Sequence, residues 1–219
     1  MSNSSIEHYK YLNNIFSYLL KNKELGLDLT IKQSTKYTTK SLDLVGISDA
    51  DWGGDIDSRK STTGNIFILS TSNNNITISW TSKLQKTVAL SSAEAEYMAL
   101  KEATKESIYL QNTLKELFIN NSISKEFNNL FNTLNTIKTD SLSAIELAKN
   151  PVYHARTKHV DIIYHFVREN LLNKSINLVY KNTSTILADN LTKPISISRF
   201  QDFTRKVNLV DISTIKIIS

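Results

Sequence analysis

The chain has 219 residues, is 40% hydrophobic and carries a formal net charge of +5 at pH 7. A chain of this kind can bury a normal core as one large domain with an added segment, which argues against global disorder. Its lack of cysteine excludes disulfides, thiolate zinc sites and a cysteine nucleophile. The sequence shows no secretory signal and no apolar run long enough to cross a bilayer, so we expect no membrane partner.

Residues 1–40 are interpreted as a lead-in to the main domain. Apolar residues recur at helical spacing between residues 6 and 24, which predicts a helix, and Leu27–Ile31 alternates like a short strand. The polar stretch Ser34–Ser41 separates this segment from the first acidic motif. We therefore expect it to have a structural role rather than a catalytic one.

Three strand-like segments follow in close succession. They cover residues 42–52, 64–70 and 75–81, and stretches rich in glycine and asparagine separate them. Strands spaced so closely favour an antiparallel meander.

The long helix predicted from Ser92 to about Phe118 has a well-marked beginning. Ser91 and Glu94 fit a capping box, in which the serine caps an exposed N–H of the first turn and the glutamate returns a hydrogen bond. In this interpretation the Glu94 side chain is engaged in the capping box at the beginning of the helix. It leaves Glu96, two residues further on, free for another role.

The second half of the chain alternates helices with strands. After a polar insertion near residues 120–135, the predicted elements are a strand at 136–139, helices at 142–149 and 159–172, a strand at 176–180, a helical turn at 185–192 and a helix at 198–207. Three strands followed by alternating helix and strand predict an α/β fold, a five-stranded mixed sheet covered by helices. We assign residues 41–195 to this domain and 196–219 to a C-terminal helix and tail.

Four acidic residues, each in its own short motif, carry the functional signal. Asp49 and Asp140 end strand-like segments, Glu96 lies one turn into the long helix, and Asp189 follows the last strand. Carboxylates delivered by separate elements can surround a pair of Mg²⁺ ions, which prefer oxygen ligands. Two-metal sites of this kind cut phosphodiesters, so the pattern predicts a nuclease.

Several longer motifs accompany the acids. They are Asp49-Ala50-Asp51-Trp52-Gly53-Gly54-Asp55, Asp57-Ser58-Arg59-Lys60-Ser61-Thr62-Thr63-Gly64, the segment Ser91 to Ala99, His154-Ala155-Arg156-Thr157-Lys158-His159-Val160-Asp161, and Leu187-Ala188-Asp189 with Thr192-Lys193-Pro194. With these motifs the chain resembles the RNase H region at the C-terminal end of copia-type LTR retrotransposon Pol polyproteins. Its opening residues are similar to the segment that joins reverse transcriptase to RNase H in that family.

The resemblance implies an RNase H-like fold and a ribonuclease that hydrolyses the RNA strand of RNA–DNA hybrids with two Mg²⁺, or alternatively Mn²⁺. It implies that Asp49, Glu96, Asp140 and Asp189 are both catalytic residues and metal ligands. Asp51 is an alternative first ligand, since it shares a strand face with Asp49. Further implied partners are the hybrid and the reverse transcriptase part of the same element, in the cytoplasm, the nucleus or a virus-like particle.

The chain departs from the family pattern at two places. Ser141-Leu142 follows the third acid where copia-type sequences usually have Asn-Gln, and the loop 181–185 lacks the histidine that many cellular RNases H carry. The missing histidine bears on product release rather than on metal binding.

Basic residues near the acids are candidates for contacts with nucleic-acid phosphates, which arginine and lysine often make. They are Arg59 and Lys60 after the first strand, and Arg156 and Lys158 in the histidine-containing motif. A solvated basic surface is the competing interpretation. Trp52 could stack on a base or sugar, but a tryptophan that closes a strand is more often part of the core.

Two other functions compete with the ribonuclease. One is a catalytically inactive remnant of a retrotransposon that keeps the fold and some affinity for nucleic acid. The other is a different nuclease on the same scaffold, because a fold does not determine its substrate. The copia-type motifs disfavour the latter.

Overall fold

The computed structural model describes residues 5–30, 42–70, 75–119, 135–150 and 158–214. Its helices are α1 (Ile6–Lys21), α2 (Ser92–Ile119), α3 (Leu142–Lys149), α4 (Lys158–Leu172) and α5 (Ile197–Lys206). Its strands are β1 (Leu25–Leu27), β2 (Asp43–Asp51), β3 (Thr62–Ser70), β4 (Asn75–Leu84), β5 (Asn135–Thr139), β6 (Ile176–Tyr180) and β7 (Leu209–Asp211).

Five strands form one mixed sheet in the order β4-β3-β2-β5-β6. The strands β2, β3 and β4 are antiparallel neighbours, whereas β5 pairs parallel with both β2 and β6. The predicted α/β fold class, a five-stranded mixed sheet covered by helices, is confirmed. The central position of β2 explains its apolar run, because a strand covered on both faces needs apolar residues on both.

Side-chain alternation along the strands supplies two apolar clusters, one on each face of the sheet. On one face Leu44 and Phe67 pack with Tyr97 and Leu100 of α2. The small residues Ala95, Ala99 and Ala103 of α2 are fully buried, so this helix approaches the sheet closely.

The opposite face of the sheet is covered by the C-terminal part of the chain. Ile47 and Ile66, which are direct cross-strand partners, cluster there with Ile186, Ala188 and Val207. This cluster holds the segment around Asp189 against the sheet. The single helical turn predicted at 185–192 is instead two short 3₁₀ turns, Thr183–Thr185 and Ala188–Leu191.

A second, two-stranded sheet joins the lead-in to the tail. β1 and β7 are antiparallel, with Leu25 opposite Asp211 and Leu27 opposite Leu209. The sequence analysis placed a strand at Leu27–Ile31 and none at β7. Three-residue strands are too short to show alternation, and Ile31 lies outside the described residues.

The helix α1 forms close to its predicted bounds but buries none of its residues. Most of its apolar side chains, among them Ile15 and Phe16, are more than half exposed. Tyr18 makes an edge-to-face contact with Phe200 of α5, with ring centroids 5.7 Å apart. No helix in the described ranges is long and apolar enough to cross a membrane.

Candidate metal centre

Three acidic side chains meet at one edge of the sheet. Asp49 near the end of β2, Glu96 in α2 and Asp140 after β5 each offer an oxygen, and these oxygens lie within 4.8 Å of one another. The parallel pairing of β2 with β5 explains the meeting of the two aspartates, because the carboxyl ends of parallel strands lie at the same edge. The register pairs Ile47 with Lys138, and two residues further along each strand come Asp49 and Asp140.

The beginning of α2 directs Glu96 to the same point. The N–H of Glu94 donates to the Ser91 hydroxyl at 3.2 Å. In return the Glu94 carboxylate accepts the N–H of Leu90 at 2.7 Å, one residue before the position expected for a capping box. Glu94 is therefore occupied at the helix end as predicted, and Glu96 faces the aspartates.

Burial and mutual repulsion raise the pKa values of two of these three acids, Asp49 and Glu96. Burial, reinforced by the nearby charges of Asp140 and Asp189, raises the pKa of Asp49 to about 6. Burial, reinforced by Asp49 and Asp140, raises the pKa of Glu96 to about 9. Close carboxylates with desolvated charges favour protonation unless a cation neutralises them.

The donor set fits a hard divalent cation. Among the described residues, Oε2 of Glu96 is buried with no hydrogen-bond partner, and an oxygen without a donor can ligate an ion at no cost in lost hydrogen bonds. Carboxylate oxygens are the ligands that Mg²⁺ prefers. Asp49, Glu96 and Asp140 can therefore hold such an ion.

Asp189 lies beside this cluster but is bound to cations of the protein itself. It is only 8% exposed, in the turn Ala188–Leu191. Lys193 Nζ lies 2.6 Å from its Oδ1, and Arg199 donates to its Oδ2. Although burial opposes the change, the hydrogen bonds and charges of Lys193 and Arg199 lower the pKa of Asp189. It is not among the three acids whose oxygens converge.

Neither cation was predicted from the sequence to have a functional role. Lys193 was quoted in the Thr-Lys-Pro motif, and it stands four residues after Asp189, where two side chains of a helical segment meet. That spacing was a usable signal. Arg199 stands ten residues after Asp189, in another helix, and no local pattern connects the two.

Thr192 and Gly64 fix the turn that carries Asp189 to the sheet. The Thr192 hydroxyl lies 3.1 Å from Oδ2 of Asp49 and 3.0 Å from the carbonyl oxygen of Asp189. Gly64, directly opposite Asp49 in β3, has the carbonyl oxygen of Ala188 only 2.6 Å from the position a Cβ would take. A residue without a side chain is therefore required for this close approach.

The remaining candidate residues are distributed around the cluster. The Asp51 side chain lies against Gly54 and is not among the three converging acids. Arg59 is exposed, and Lys60 is half-buried, in the loop between β2 and β3. Arg156 lies outside the described residues, as does the proposed insertion apart from Asn135. Lys158 begins α4, but its side chain is outside the described part of the chain.

Trp52 corrects one expectation. The indole is 54% exposed rather than buried in the core. Its Nε1 donates to the carbonyl oxygen of Ala89 at 3.1 Å, so an exposed ring is held in one place, directly after the strand that carries Asp49.

No protein-family model matches the chain. It is 35% identical over 206 residues to the retrovirus-related Pol polyprotein from transposon RE2 of Arabidopsis thaliana, covering 94% of the chain and 13% of that protein. It is 45% identical over 158 residues to the corresponding polyprotein from transposon TNT 1-94 of Nicotiana tabacum, covering 72% of the chain and 11% of that protein.

Among solved structures, LC11-RNase H1 in complex with an RNA/DNA hybrid superposes with a TM-score of 0.44 at 13% identity, covering 68% of this chain and 94% of that one. The chain spans about an eighth of the length of the polyproteins that it matches. It is homologous to a segment of the retrovirus-related Pol polyproteins of retrotransposons.

Proposed function

We propose that this chain is a ribonuclease H, which hydrolyses the RNA strand of RNA–DNA hybrids in a metal-dependent, endonucleolytic reaction. The convergence of Asp49, Glu96 and Asp140 within 4.8 Å at one sheet edge is the observation that carries the proposal. Homology to Pol polyproteins of retrotransposons supports a hybrid as the substrate, because reverse transcription produces RNA–DNA duplexes.

The proposed cofactor is a pair of Mg²⁺ ions, with Mn²⁺ as an alternative. Asp49, Glu96 and Asp140 would hold one ion among them, and Asp189 is the proposed fourth ligand. When bound, such ions supply an activated water and stabilise the leaving oxygen of a phosphodiester.

Contacts within the protein favour the charged form of two of the proposed ligands. Lys193 and Arg199 keep Asp189 ionised by lowering its pKa, and the Thr192 hydroxyl favours the charged form of Asp49. Arg59, Lys60, Arg156 and Lys158 are proposed to bind phosphates of the hybrid. Selection of the RNA strand would depend on contacts with 2′-hydroxyl groups, which DNA lacks.

The proposal assigns residues 41–195 to the nuclease domain, with the lead-in 1–40 and the tail 196–219 on either side. The pairing of β1 with β7 supports treating the two flanks as one packed unit. The exposed apolar face of α1 supports a contact with the reverse transcriptase part of the element. The proposed location is intracellular, where such an element copies its RNA.

A cleavage assay with strand-specific labels tests this function. The purified chain is incubated with Mg²⁺ and an RNA–DNA hybrid, and in parallel with double-stranded RNA and double-stranded DNA. We expect cleavage of the RNA strand of the hybrid alone. The Asp140→Asn variant should bind the hybrid but not cleave it.

Asp202→Asn is the matched control, because Asp202 pairs with Lys206 on α5 and is half-exposed. It should cleave like the wild type. Absence of cleavage by a folded wild-type chain in both Mg²⁺ and Mn²⁺ would support the inactive-remnant alternative. Equal loss of cleavage in both variants would remove the case for Asp140 as a ligand.

A further inference from the structure

Trp52 connects the two elements that deliver two of the three clustered acids. It directly follows β2, three residues after Asp49. Its indole N–H is bonded to the carbonyl oxygen of Ala89, in the segment that leads into α2 and so to Glu96. Three residues of extended chain span about 10 Å at most. The main chain at Trp52 therefore lies within about 10 Å of that at Asp49, the first acid of the proposed reaction centre.

The surroundings of the ring are apolar and open to solvent. Leu90 is 83% exposed and Val88 47% exposed, and these two residues flank the Ala89 that accepts the Trp52 hydrogen bond. Ile56, in the loop after Trp52, is 80% exposed. An isolated exposed apolar side chain is ordinary, but three of them close in the chain to one fixed aromatic ring and its hydrogen-bond partner indicate a contact surface.

The loop that follows Trp52 carries the basic residues Arg59 and Lys60 as well as the acidic residues Asp55 and Asp57. The loop between β2 and β3 is closed by hydrogen bonds between the main chains of Asp55 and Lys60 and of Arg59 and Asp55. With the loop closed in this way, the main chain of Arg59 lies close to Gly53, the residue after Trp52. The carbonyl oxygen of Arg59 is 3.8 Å from where a Cβ would stand on this glycine. The Asp55 carboxylate is occupied by hydrogen bonds from Ser58. Aromatic faces beside basic groups are typical of surfaces that bind nucleic acids.

We propose that Trp52 is a substrate-contacting residue that packs its ring against sugars in the minor groove of the hybrid and so positions the RNA strand over the acids. The bases of a duplex are stacked on each other, whereas the wide minor groove of A-like helices exposes sugars and 2′-hydroxyls. The hydrogen bond to Ala89 fixes the ring before substrate arrives, so little side-chain freedom is lost on binding. This inference rests on the proposed ribonuclease function and adds a substrate contact to it.

A purely structural role for Trp52 makes a different prediction. If the indole only tied β2 to α2, the loss of its N–H would matter and its exposed face would not. Trp52→Phe removes the N–H and keeps an aromatic face, and Trp52→Ala removes both. Measuring kcat and KM separately therefore distinguishes the two roles.

In otherwise wild-type protein, we expect Trp52→Ala to raise KM about tenfold, through the loss of the contact between the ring and the sugars, with kcat within about threefold. Trp52→Phe should recover most of that loss. An unchanged KM in Trp52→Ala, or an equal loss in Trp52→Phe and Trp52→Ala, would overturn the proposal.

Tryptophan fluorescence gives a readout that does not need catalysis. The chain has 2 tryptophans, so Trp80→Phe leaves Trp52 as the reporter, and Asp140→Asn in the same protein prevents cleavage. The matched control carries Trp52→Phe and reports from Trp80, which is 58% exposed. Trp80 pairs with Ile66, whereas Leu84 pairs with Thr62, the partner of Asp51 at the end of β2 that Trp52 follows. Trp80 is thus about 13 Å further along the sheet.

We expect a labelled hybrid to change the emission of Trp52 saturably and to leave that of Trp80 unchanged. The anisotropy of the same hybrid, recorded in the same titration, reports binding independently. Binding without a change at Trp52 would overturn this inference and leave the proposed function intact. No binding at all would overturn both.

Discussion

The Thr192 hydroxyl lies 3.1 Å from Oδ2 of Asp49 in a buried hydrogen bond that spans 143 positions of the chain. It joins the turn that carries Asp189 to the strand that carries the first acid of the cluster. The bond favours ionised Asp49, against the burial that raises the pKa of this group. The protein thus holds the fourth acid beside the other three through its own contacts.

Thr192→Val removes this donor with little change in side-chain shape. A buried carboxylate then loses a hydrogen bond, and we expect the free energy of unfolding to fall by about 2 kcal/mol. Urea denaturation measures the change. Thr204→Val is the control, because the Thr204 hydroxyl donates to a main-chain carbonyl on an exposed helix. Equal losses in the two variants would contradict a special role for the Thr192 bond.

The stability of the metal-free protein should depend on pH through the acid cluster. The pKa of Asp49 is raised to about 6 from 3.8, and that of Glu96 to about 9 from 4.5. The folded state therefore favours the protonated forms, and their contribution to stability is complete below the unfolded pKa values. This contribution is lost as the pH rises through the pKa values that the two groups have in the folded state.

Urea denaturation in a metal chelator, at pH 5, 7 and 9, tests this dependence. Other groups titrate in the same range, so the informative quantity is the difference between the wild type and Glu96→Gln. The wild type should lose stability relative to this variant as pH rises, and added Mg²⁺ should restore more of it at pH 9 than at pH 5. A difference that is constant across this range would show that Glu96 ionises normally.

If Asp189 is the fourth metal ligand, as proposed, Arg199 competes with the metal ion for its carboxylate. Arg199 donates to Oδ2 of Asp189 and also to Oδ1 of Asn190. Removing it in Arg199→Ala leaves Lys193 as the cation on this carboxylate. Because the Arg199 side chain is nearly half exposed, we expect a modest gain of about threefold in the affinity for a second divalent ion.

Calorimetric titration with Mn²⁺ measures both the stoichiometry and the affinity of that second ion. Arg205→Ala removes an arginine of the same helix that pairs with Asp202 instead, and it should bind Mn²⁺ like the wild type. If Arg199→Ala binds the ion more weakly, Arg199 supports the site rather than competing for it.

Gly64→Ala should separate Asp189 from the cluster. The added Cβ would lie 2.6 Å from the carbonyl oxygen of Ala188 and 2.8 Å from Cγ2 of Thr192, so the turn must move. Overpacking of this kind costs about 1–3 kcal/mol of stability. We also expect weaker metal binding.

Gly46→Ala is the matched control, because its Cβ would lie 2.8 Å from the Phe67 ring, away from the acids. It should lose stability, as Gly64→Ala does, and keep its affinity for Mg²⁺. Parallel losses of metal affinity in the two variants would indicate a general loss of structure rather than displacement of the turn.

The parts of the fold that follow from local patterns were predictable from the sequence. Alternation and helical spacing predicted the five strands of the main sheet. The motif from Ser91 to Glu96 predicted both where α2 begins and which glutamate is free. Strand ends also indicated where Asp49 and Asp140 lie. These features depend on residues close together in the chain.

What escaped prediction depends on contacts between distant segments. The bond between Thr192 and Asp49 and the pairing of Arg199 with Asp189 follow from the packing of the C-terminal segment under the sheet. The pairing of β1 with β7 joins opposite ends of the chain through three residues each. The exposure of Trp52 likewise depends on the path of the loop after it, which a strand pattern does not specify.

Binding of Mg²⁺ to the chain in the absence of nucleic acid tests the central claim most directly. Calorimetry on the wild type, Glu96→Gln and Glu116→Gln compares two glutamates of the same helix, of which Glu116 is exposed and outside the cluster. We predict that Glu96→Gln weakens binding at least about tenfold and that Glu116→Gln leaves it unchanged. Equal Mg²⁺ affinity in all three proteins would show that Asp49, Glu96 and Asp140 are not a metal centre.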